Sequence, residues 1–152
     1  MEEFDIAIIG GGPAGIMAAI AASADLNVVL LEKNSSLGSK LLITGGGRCN
    51  ITNEKPIKKL LNSFHDKNFL KHSFYTFTNE MLLDLFRNRG LDFIVEDNNR
   101  VFPETEKSQD ILAILKYYLK DITIKYNYEV SDIKKEDNFI INNDIIAEKV
   151  II

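Results

Sequence analysis

Residues 6–15 have the sequence IAIIGGGPAG, and this stretch decides the fold. An apolar run typical of a buried strand ends in G-x-G-x-x-G, and an alanine-rich helical segment follows directly. Gly10 allows the tight turn, Gly12 lets the backbone approach a pyrophosphate, and Gly15 lets the helix pack closely on the strand. The helix start, with Pro13 in its first turn, offers N–H groups and a positive dipole end to phosphates. The stretch therefore predicts dinucleotide binding.

A second strand over 27–32 ends in Glu32, about 20 residues beyond the glycines, where a ribose hydroxyl needs an acceptor. The 2′-phosphate of NADP would meet this carboxylate, so the pattern favours FAD or NAD at this site. The alternative is a glycine turn of an ordinary α/β domain, with Glu32 as a solvated strand end. The spacing from Gly10 to Glu32 favours the dinucleotide interpretation.

Composition narrows the class of protein. The chain has 152 residues, 45% of them hydrophobic, a net charge of −4 and one cysteine. This length is enough for one hydrophobic core. The acidic net charge predicts that the protein binds neither nucleic acid nor an anionic membrane surface. No apolar run approaches the ~20 residues that span a bilayer, and a lone cysteine forms no internal disulfide. We expect a cytoplasmic protein that acts on a small-molecule substrate.

The elements expected along the chain begin with a βαβ unit and a glycine-containing loop over 33–55. We expect one domain over 1–152, with a helical and loop insertion over 55–105. Within the insertion, Asn79 is expected to cap a helix over 80–89 that Gly90 closes, with Met81, Leu82, Leu85 and Phe86 on one face. Ser108 is expected to cap a helix to about 120. The other expected elements are strand 4–9, helix 13–24, strand 27–32, short helices within 56–77, extended segments 91–95 and 100–102, and buried positions Ile111, Leu112, Leu115 and Leu119.

Short extended segments joined by polar turns follow a strand over 122–126. They indicate a small antiparallel meander over 128–135, 138–142 and 144–147, and a last strand follows over 148–152. The predicted parallel order is 122–126, 28–32, 4–9, 148–152. A meander between parallel strands is unlike an NAD-only Rossmann domain. It resembles the FAD domain of glutathione-reductase-like flavoproteins, so the fold class is α/β, Rossmann-like, with a parallel sheet plus a meander.

The second informative stretch is residues 38–53, GSKLLITGGGRCNITN. Three consecutive glycines at 45–47 give an unshielded backbone that can lie against a flat ring or a phosphate and donate N–H bonds to it. Arg48 is a fixed cation with five donors, suited to a pyrophosphate or a flavin edge. Thr44 and Asn50 add short polar groups. The alternative is a surface loop with a solvated arginine.

Together these motifs resemble the aminoacetone-oxidase-type family of NAD(P)/FAD-dependent oxidoreductases, over essentially all 152 residues. The stretch RVFPET at 100–105 resembles that family's second signature, with Asn99 where the family has glycine. The resemblance implies FAD as cofactor, and Arg48, Arg100 and the 45–47 backbone as groups that tune the flavin. The implied FAD contacts are Gly10, Gly12, Pro13, Ala14, Gly15, Glu32, Lys33, Lys40, Thr44, Gly45, Gly46, Gly47, Arg48, Cys49, Asn50 and, through its backbone, Val130.

The members of that family are more than twice as long. The resemblance therefore implies an N-terminal portion whose sheet lacks its fifth strand and is incomplete at the C-terminus. An open apolar edge at 148–152 predicts self-association, or pairing with a complementing C-terminal half.

The implied activity is that of a flavin-dependent oxidoreductase, which passes hydride from NAD(P)H through FAD to a small organic acceptor. A non-catalytic truncated nucleotide-binding module and, less favoured, an NAD-only dehydrogenase stay open. No catalytic residue is identified. Cys49 is expected to be a small packing residue beside the cofactor, and His65 and His72 predict no metal site.

Overall fold

The computed structural model describes all 152 residues as two compact units. The first unit consists of Met1–Leu41 and Leu115–Ile152, and the second consists of Leu42–Ile114. The insertion expected over 55–105 lies within the second unit. No helix of the chain is long and apolar enough to cross a membrane.

The first unit is built on a six-stranded mixed sheet. Its first four strands are parallel, and the last two run antiparallel to their neighbours. This arrangement confirms the predicted class, a Rossmann-like parallel sheet extended by a meander. In spatial order the strands are β6 (Thr123–Lys125), β2 (Val28–Leu31), β1 (Glu2–Ile9), β9 (Ile145–Ile151), β8 (Phe139–Ile141) and β7 (Ile133–Lys135).

The prediction of separate strands over 144–147 and 148–152 is wrong, because β9 is one continuous strand. Its first residues pair with β8 on one side and with the start of β1 on the other. The pairing with β8 stops at Ala147, so the later residues of β9 have no strand on that side. Self-association through this edge stays a prediction.

The predicted strand over 128–135 is shorter, since β7 covers only Ile133–Lys135. The Asn142 side chain binds the preceding backbone instead. Its Oδ1 accepts from the amides of Ser131 and Asp132 at 2.9 and 3.1 Å, and its Nδ2 donates to the carbonyl of Glu129 at 2.8 Å. These bonds replace ladder hydrogen bonds and hold the segment before β7 as an ordered loop.

The core of the first unit explains the apolar runs in the sequence. All four residues of β2 are buried, as expected of a central parallel strand covered on both faces. Helix α1 (Pro13–Ala22) follows β1 and buries Ile16 and Ala19. The helix ends two residues earlier than expected. The packed cluster at the centre of the sheet consists of Ala7, Val29, Leu31, Ile141, Ile145 and Ala147.

The second unit contains a three-stranded antiparallel sheet that the sequence did not indicate as a sheet. The predicted loop over 33–55 also contains regular structure: helix α2 (Ser39–Ile43), a 3-10 turn at Thr44–Gly47 and strand β3 (Thr52–Asn53). Along the chain, the boundaries between the two units fall within α2 and within helix α6 (Ser108–Tyr118). The remaining elements are β3 (Thr52–Asn53), β5 (Arg100–Pro103), β4 (Phe93–Glu96), α2 (Ser39–Ile43), α3 (Ile57–Leu61), α4 (Lys67–Thr76), α5 (Asn79–Arg87) and α6 (Ser108–Tyr118).

Both expected N-caps differ in the structure. The hydroxyl of Thr78 caps α5 by accepting from the amide of Met81, while Asn79 donates to the carbonyls of Asn53 and Lys55. Ser108 is the first residue of α6, and its hydroxyl donates to the carbonyl of Leu42 at 2.9 Å. The side chains of Asn79 and Ser108 thus donate to carbonyls that are distant in the chain, and the local sequence does not reveal such partners.

The buried face of α5 is also shifted. Leu83 and Phe86 are buried, whereas Met81, expected on the core face, is 47% exposed. The four α6-region positions expected in the core, Ile111, Leu112, Leu115 and Leu119, are all buried.

Candidate dinucleotide-binding site

The glycine turn between β1 and α1 has the steric features that its motif predicts. Gly10 has a φ of +103°, which favours glycine, and its amide donates to the carbonyl of Leu31 at 2.8 Å. A Cβ on Gly15 would overlap the carbonyl oxygen of Gly10, so only glycine lets the helix start this close to the strand. A Cβ on Gly12 would meet nothing within 4 Å. The space in front of Gly12 is therefore open to a ligand.

The start of α1 leaves several backbone amides available. Gly12 is the N-cap residue with an extended backbone, no side chain caps the helix, and the first turn holds no acidic residue. The amides of Gly12, Ala14 and Gly15 have no hydrogen-bond partner in the chain, whereas Ile16 bonds normally to the carbonyl of Gly12. Free amides at a positive helix end form an anion-binding site, which suits a pyrophosphate.

Glu32 follows β2 directly and is not the open strand end that the sequence suggested. It is only 6% exposed, and its carboxylate already accepts three hydrogen bonds. Oε2 accepts from the amide of Gly11 at 2.7 Å, while Oε1 accepts from the amide and the Nδ2 of Asn34 at 2.7 and 2.6 Å. The expectation of a free or solvated Glu32 is corrected, because the side chain folds back onto the glycine turn.

These hydrogen bonds also set the charge state of Glu32. Burial alone would raise the pKa of Glu32, but the hydrogen bonds from Asn34 and Gly11 outweigh it and hold the pKa below its ordinary value. A carboxylate has about four acceptor positions, so Oε2 retains one for a further donor. A ribose hydroxyl can use that position.

A cavity of about 450 Å³ lies in the first unit between the glycine turn, the end of β2 and the segment before β7. Most of the first-unit residues predicted to contact the cofactor line it: Gly10, Gly12, Pro13, Glu32, Lys33, Lys40 and Val130. The backbone N–H and carbonyl of Val130 have no partner in the chain, as a backbone contact to a base requires. Ala14 and Gly15 line an adjoining cavity of about 280 Å³ instead.

Sequence reasoning missed several residues of this cavity. Gly11 occupies a variable position of the motif, yet a Cβ there would overlap Leu37 and lie 2.9 Å from the Glu32 carboxylate. Its amide is one of the three donors to that carboxylate. Asn34 supplies the other two. Two features of the sequence could have indicated these residues: the run of three glycines that includes Gly11, and the amide side chain of Asn34 two residues after Glu32.

The loop over 44–50 belongs to the second unit. Gly45, Gly46 and Gly47 all have positive φ values, +57°, +69° and +88°. A Cβ on Gly45 would lie 2.8 Å from the amide nitrogen of Asn50 and 2.9 Å from the Phe102 ring, so this position requires glycine. A Cβ on Gly46 would meet nothing within 4 Å. The middle glycine therefore has open space before it, as a contact with a flat ring requires.

Arg48 is neither solvated nor free, because two carboxylates bind it. Its guanidinium lies 2.6 Å from Glu96 and 2.9 Å from Glu106, and it stacks 4.2 Å above the centroid of the Phe102 ring. Hydrogen bonds to Glu96 and Glu106 raise the pKa of Arg48, and the guanidinium lowers the pKa of Glu96. The structure places Arg48 as the residue that ties the glycine loop to β4 and to the segment after β5. Flavin tuning by Arg48 stays a prediction.

Arg100 lies at the start of β5 and is 46% exposed at its side chain. It donates from Nε to the carbonyl of Asp97 at 3.2 Å and pairs with Glu96 at 3.4 Å. Asn98 and Asn99 precede it with φ values of +63° and +60°. Asparagine tolerates this left-handed conformation, so Asn99 can stand where the resemblance leads us to expect glycine.

The remaining candidate side chains are Cys49, His65 and His72. Cys49 is buried, and burial raises the pKa of its thiol despite a hydrogen bond from Thr44, so the thiol is not an activated nucleophile. His65 and His72 are exposed, and no group of three or more metal-ligating side chains forms anywhere in the chain.

Comparison with known proteins agrees with this geometry. The family described as HI0933-like protein Rossmann domain matches residues 4–152. The chain belongs to this family. Its fold is that of glutathione-reductase-like FAD-binding domains, and the narrower resemblance to the aminoacetone-oxidase type is not confirmed. Over 98% of its length the chain is similar in fold to a flavocytochrome c3 fumarate reductase, with a TM-score of 0.69 at 19% identity and 33% of that chain covered.

Two curated relatives are enzymes. The chain is 34% identical over 123 residues to the 3-dehydro-bile acid delta(4,6)-reductase of Clostridium scindens, covering 79% of this chain and 30% of the relative. It is 30% identical over 141 residues to the ribosomal RNA dihydrouridine synthase of Escherichia coli, covering 90% of this chain and 34% of the relative. The chain thus spans about a third of the length of these relatives. The second relative counts against the expectation that acidic net charge excludes a nucleic-acid partner.

Proposed function

We propose that residues 1–152 form the FAD-binding part of a flavin-dependent oxidoreductase. The observation that carries the proposal is the open space before Gly12, bounded by the unpartnered amides of Ala14 and Gly15 and by Glu32. A pyrophosphate needs such amides, and an adenosine ribose needs such a carboxylate. The adjacent cavity of about 450 Å³ is within the usual range of ligand sites.

In this proposal, different residues of the first unit contact different parts of the dinucleotide. The amides at the start of α1 bind the pyrophosphate, and Oε2 of Glu32 accepts from the ribose. The unpartnered backbone of Val130 binds the adenine edge, and Lys33 and Lys40 also line the cavity. Contacts of the 44–50 loop and of Arg100 with the flavin stay predictions of the family resemblance.

The proposed chemistry is reduction of an activated carbon–carbon double bond. FAD, when bound, supplies hydride chemistry, with NAD(P)H as the proposed donor of the hydride. Both enzyme relatives have names that describe the saturation of a double bond, in a bile acid and in an RNA uridine. In each acceptor the double bond is conjugated to a carbonyl group, which makes it accept hydride. We therefore propose an unsaturated carbonyl compound as the acceptor class.

An NAD-only dehydrogenase and a non-catalytic nucleotide-binding module are the alternatives. The antiparallel meander and the glycine loop favour FAD over NAD alone. The visible absorbance spectrum of the purified protein, before and after heat denaturation, separates FAD from NAD as the bound cofactor, and oxidation of NAD(P)H with added FAD separates an enzyme from a non-catalytic module. Released FAD supports the proposal. A protein that takes up NAD but never FAD contradicts it.

The matched variants are Gly12→Val and Ala21→Val. The Cβ of valine at 12 meets no protein atom within 4 Å but would lie where we propose that the pyrophosphate binds, so we expect loss of FAD binding with unchanged stability. Ala21 is exposed near the other end of α1, so the same side chain there should leave FAD binding unchanged. Full flavin content in Gly12→Val would contradict the site.

A further inference from the structure

The segment over residues 55–77 carries positive charge in an otherwise acidic chain. It contains five lysines and one aspartate, a net charge of +4, whereas the rest of the chain has thirteen basic and twenty-one acidic residues, a net charge of −8. The single acid, Asp66, is the N-cap of α4, where its Oδ1 accepts from the amide of Phe69 at 3.0 Å. The positive charge of the segment is thus concentrated in α3, α4 and their flanks.

The lysines of this segment are not neutralised by the protein. None of them forms a salt bridge, and the only hydrogen bond among their ammonium groups joins Lys67 to Asn62 at 3.4 Å. By contrast, Lys125 in the first unit pairs with Glu2 at 2.6 Å. Unpaired ammonium groups keep their full attraction for external phosphates. The five are Lys55, Lys58, Lys59, Lys67 and Lys71.

Helix α4 also exposes aromatic rings beside these charges. No residue of α4 is fully buried. Lys67, Lys71 and Tyr75 recur at i, i+4 and i+8 and therefore form one row along the helix. Phe69 is 79% exposed and Tyr75 is 54% exposed. Phe69 lies two residues from both Lys67 and Lys71, so it projects from another side of the helix, whereas Tyr75 continues the lysine row. An exposed ring in line with cations is a recognition element of single-stranded nucleic acid, whose bases stack on aromatic side chains.

We propose that α3 and α4, which pack together in the second unit, form a contact surface for single-stranded RNA. The surface consists of Lys58, Lys59, Lys67, Lys71 and Tyr75. A membrane would require a continuous apolar face, but the neighbours of Phe69 at i+3 and i+4 are His72 and Ser73, so no such face forms around it. The proposal rests on the proposed function in one respect: if the protein reduces a carbon–carbon double bond, the RNA bound at this surface carries that double bond.

The test is the binding of a fluorescent oligouridylate of about 20 nucleotides to the protein, followed by fluorescence anisotropy. With four phosphate contacts, each worth about 0.7 in the salt slope, raising salt from about 50 to 200 mM should weaken binding about fifty-fold. The Lys67→Gln/Lys71→Gln variant should lose about half of that slope. Tyr75→Ala should weaken binding to the single strand about tenfold and leave binding to duplex RNA unchanged.

The matched control is Lys134→Gln/Lys135→Gln, which removes the same charge from exposed strand β7 in the first unit. It should bind RNA as the unaltered protein does. The proposal fails if no RNA binds at about 50 mM salt or if the control loses as much affinity as the α4 variant. It also fails if duplex RNA or phosphatidylserine vesicles bind more tightly than the single strand. No flavin or reductant is present, so this result is independent of the flavin spectrum that tests the proposed function.

Discussion

Replacing Glu32 by glutamine tests the role of this side chain in both folding and binding. Glutamine keeps the shape of the side chain but turns one acceptor oxygen into an NH₂ donor. Three donors converge on the carboxylate, two on Oε1 and one on Oε2. Either orientation of the amide therefore sets NH₂ against an existing N–H donor and leaves at least one of them without an acceptor.

The size of the effect follows from burial and charge. A hydrogen bond to a charged group contributes about 1.5–3 kcal/mol, and a buried donor left without an acceptor costs about 1–3 kcal/mol. Because Glu32 is 6% exposed, we expect Glu32→Gln to lower the free energy of unfolding by about 2–4 kcal/mol. This is a large share of the about 5–15 kcal/mol of an ordinary domain.

The assay is urea unfolding followed by far-UV circular dichroism, with FAD titration of the folded variant. Glu148→Gln is the control, because the Glu148 side chain is exposed and forms no hydrogen bond or ion pair. We expect Glu148→Gln to unfold at the same urea concentration as the unaltered protein. If Glu32→Gln also unfolds there, the hydrogen bonds of Glu32 do not stabilise the turn. If it binds FAD with unchanged affinity, the assignment to the ribose is wrong.

Three further predictions concern the same regions. The pKa of Glu32 in the folded state lies below its ordinary value of 4.5, so the ionised side chain stabilises the fold above pH 4.5, and this stabilisation is lost as pH falls through the folded-state pKa. Glu32→Gln should therefore show a flatter dependence of the urea midpoint on pH in this acidic range. The same acid dependence in the variant and the unaltered protein would contradict this role. Gly15→Ala forces a Cβ against the carbonyl of Gly10 and should lower the free energy of unfolding by about 1–3 kcal/mol in thermal melts, whereas an unchanged melting temperature would show that the helix can move away. Cys49 should react with a thiol reagent much more slowly in the native protein than in urea, and equally fast reaction in both states would mean that the 44–50 loop opens freely.

The local parts of the site were accessible from the sequence. The turn at Gly10–Gly15 depends on residues that are neighbours in the chain, so its sterics follow directly from the motif. The environment of Glu32 was not accessible, because its Gly11 donor lies 21 residues earlier and meets it only when β1 pairs with β2. A short motif carries no information about which distant backbone will fold onto a carboxylate.

The second unit illustrates the same limit. The glycines at 45–47 and the arginine after them were found in the sequence, but the partners of Arg48 lie 48 and 58 residues further along the chain. The three-stranded sheet that brings them together has one strand of only two residues, Thr52–Asn53, too short to show a pattern. Likewise the expected separation between 144–147 and 148–152 is absent, because Glu148 and Lys149 are exposed positions within the continuous strand β9.

The bond between Glu32 and Gly11 has a consequence for any redesign of cofactor preference. Accepting a 2′-phosphorylated nucleotide would require removing this carboxylate, since two negative charges would otherwise meet. Removing it also withdraws the acceptor from Asn34 and from Gly11, which lies in the turn that we propose to bind the pyrophosphate. Preference and architecture are thus encoded in one side chain. A single substitution at position 32 should give a weaker nucleotide binder rather than one of altered preference, and a true switch needs a second residue that restores the lost acceptor.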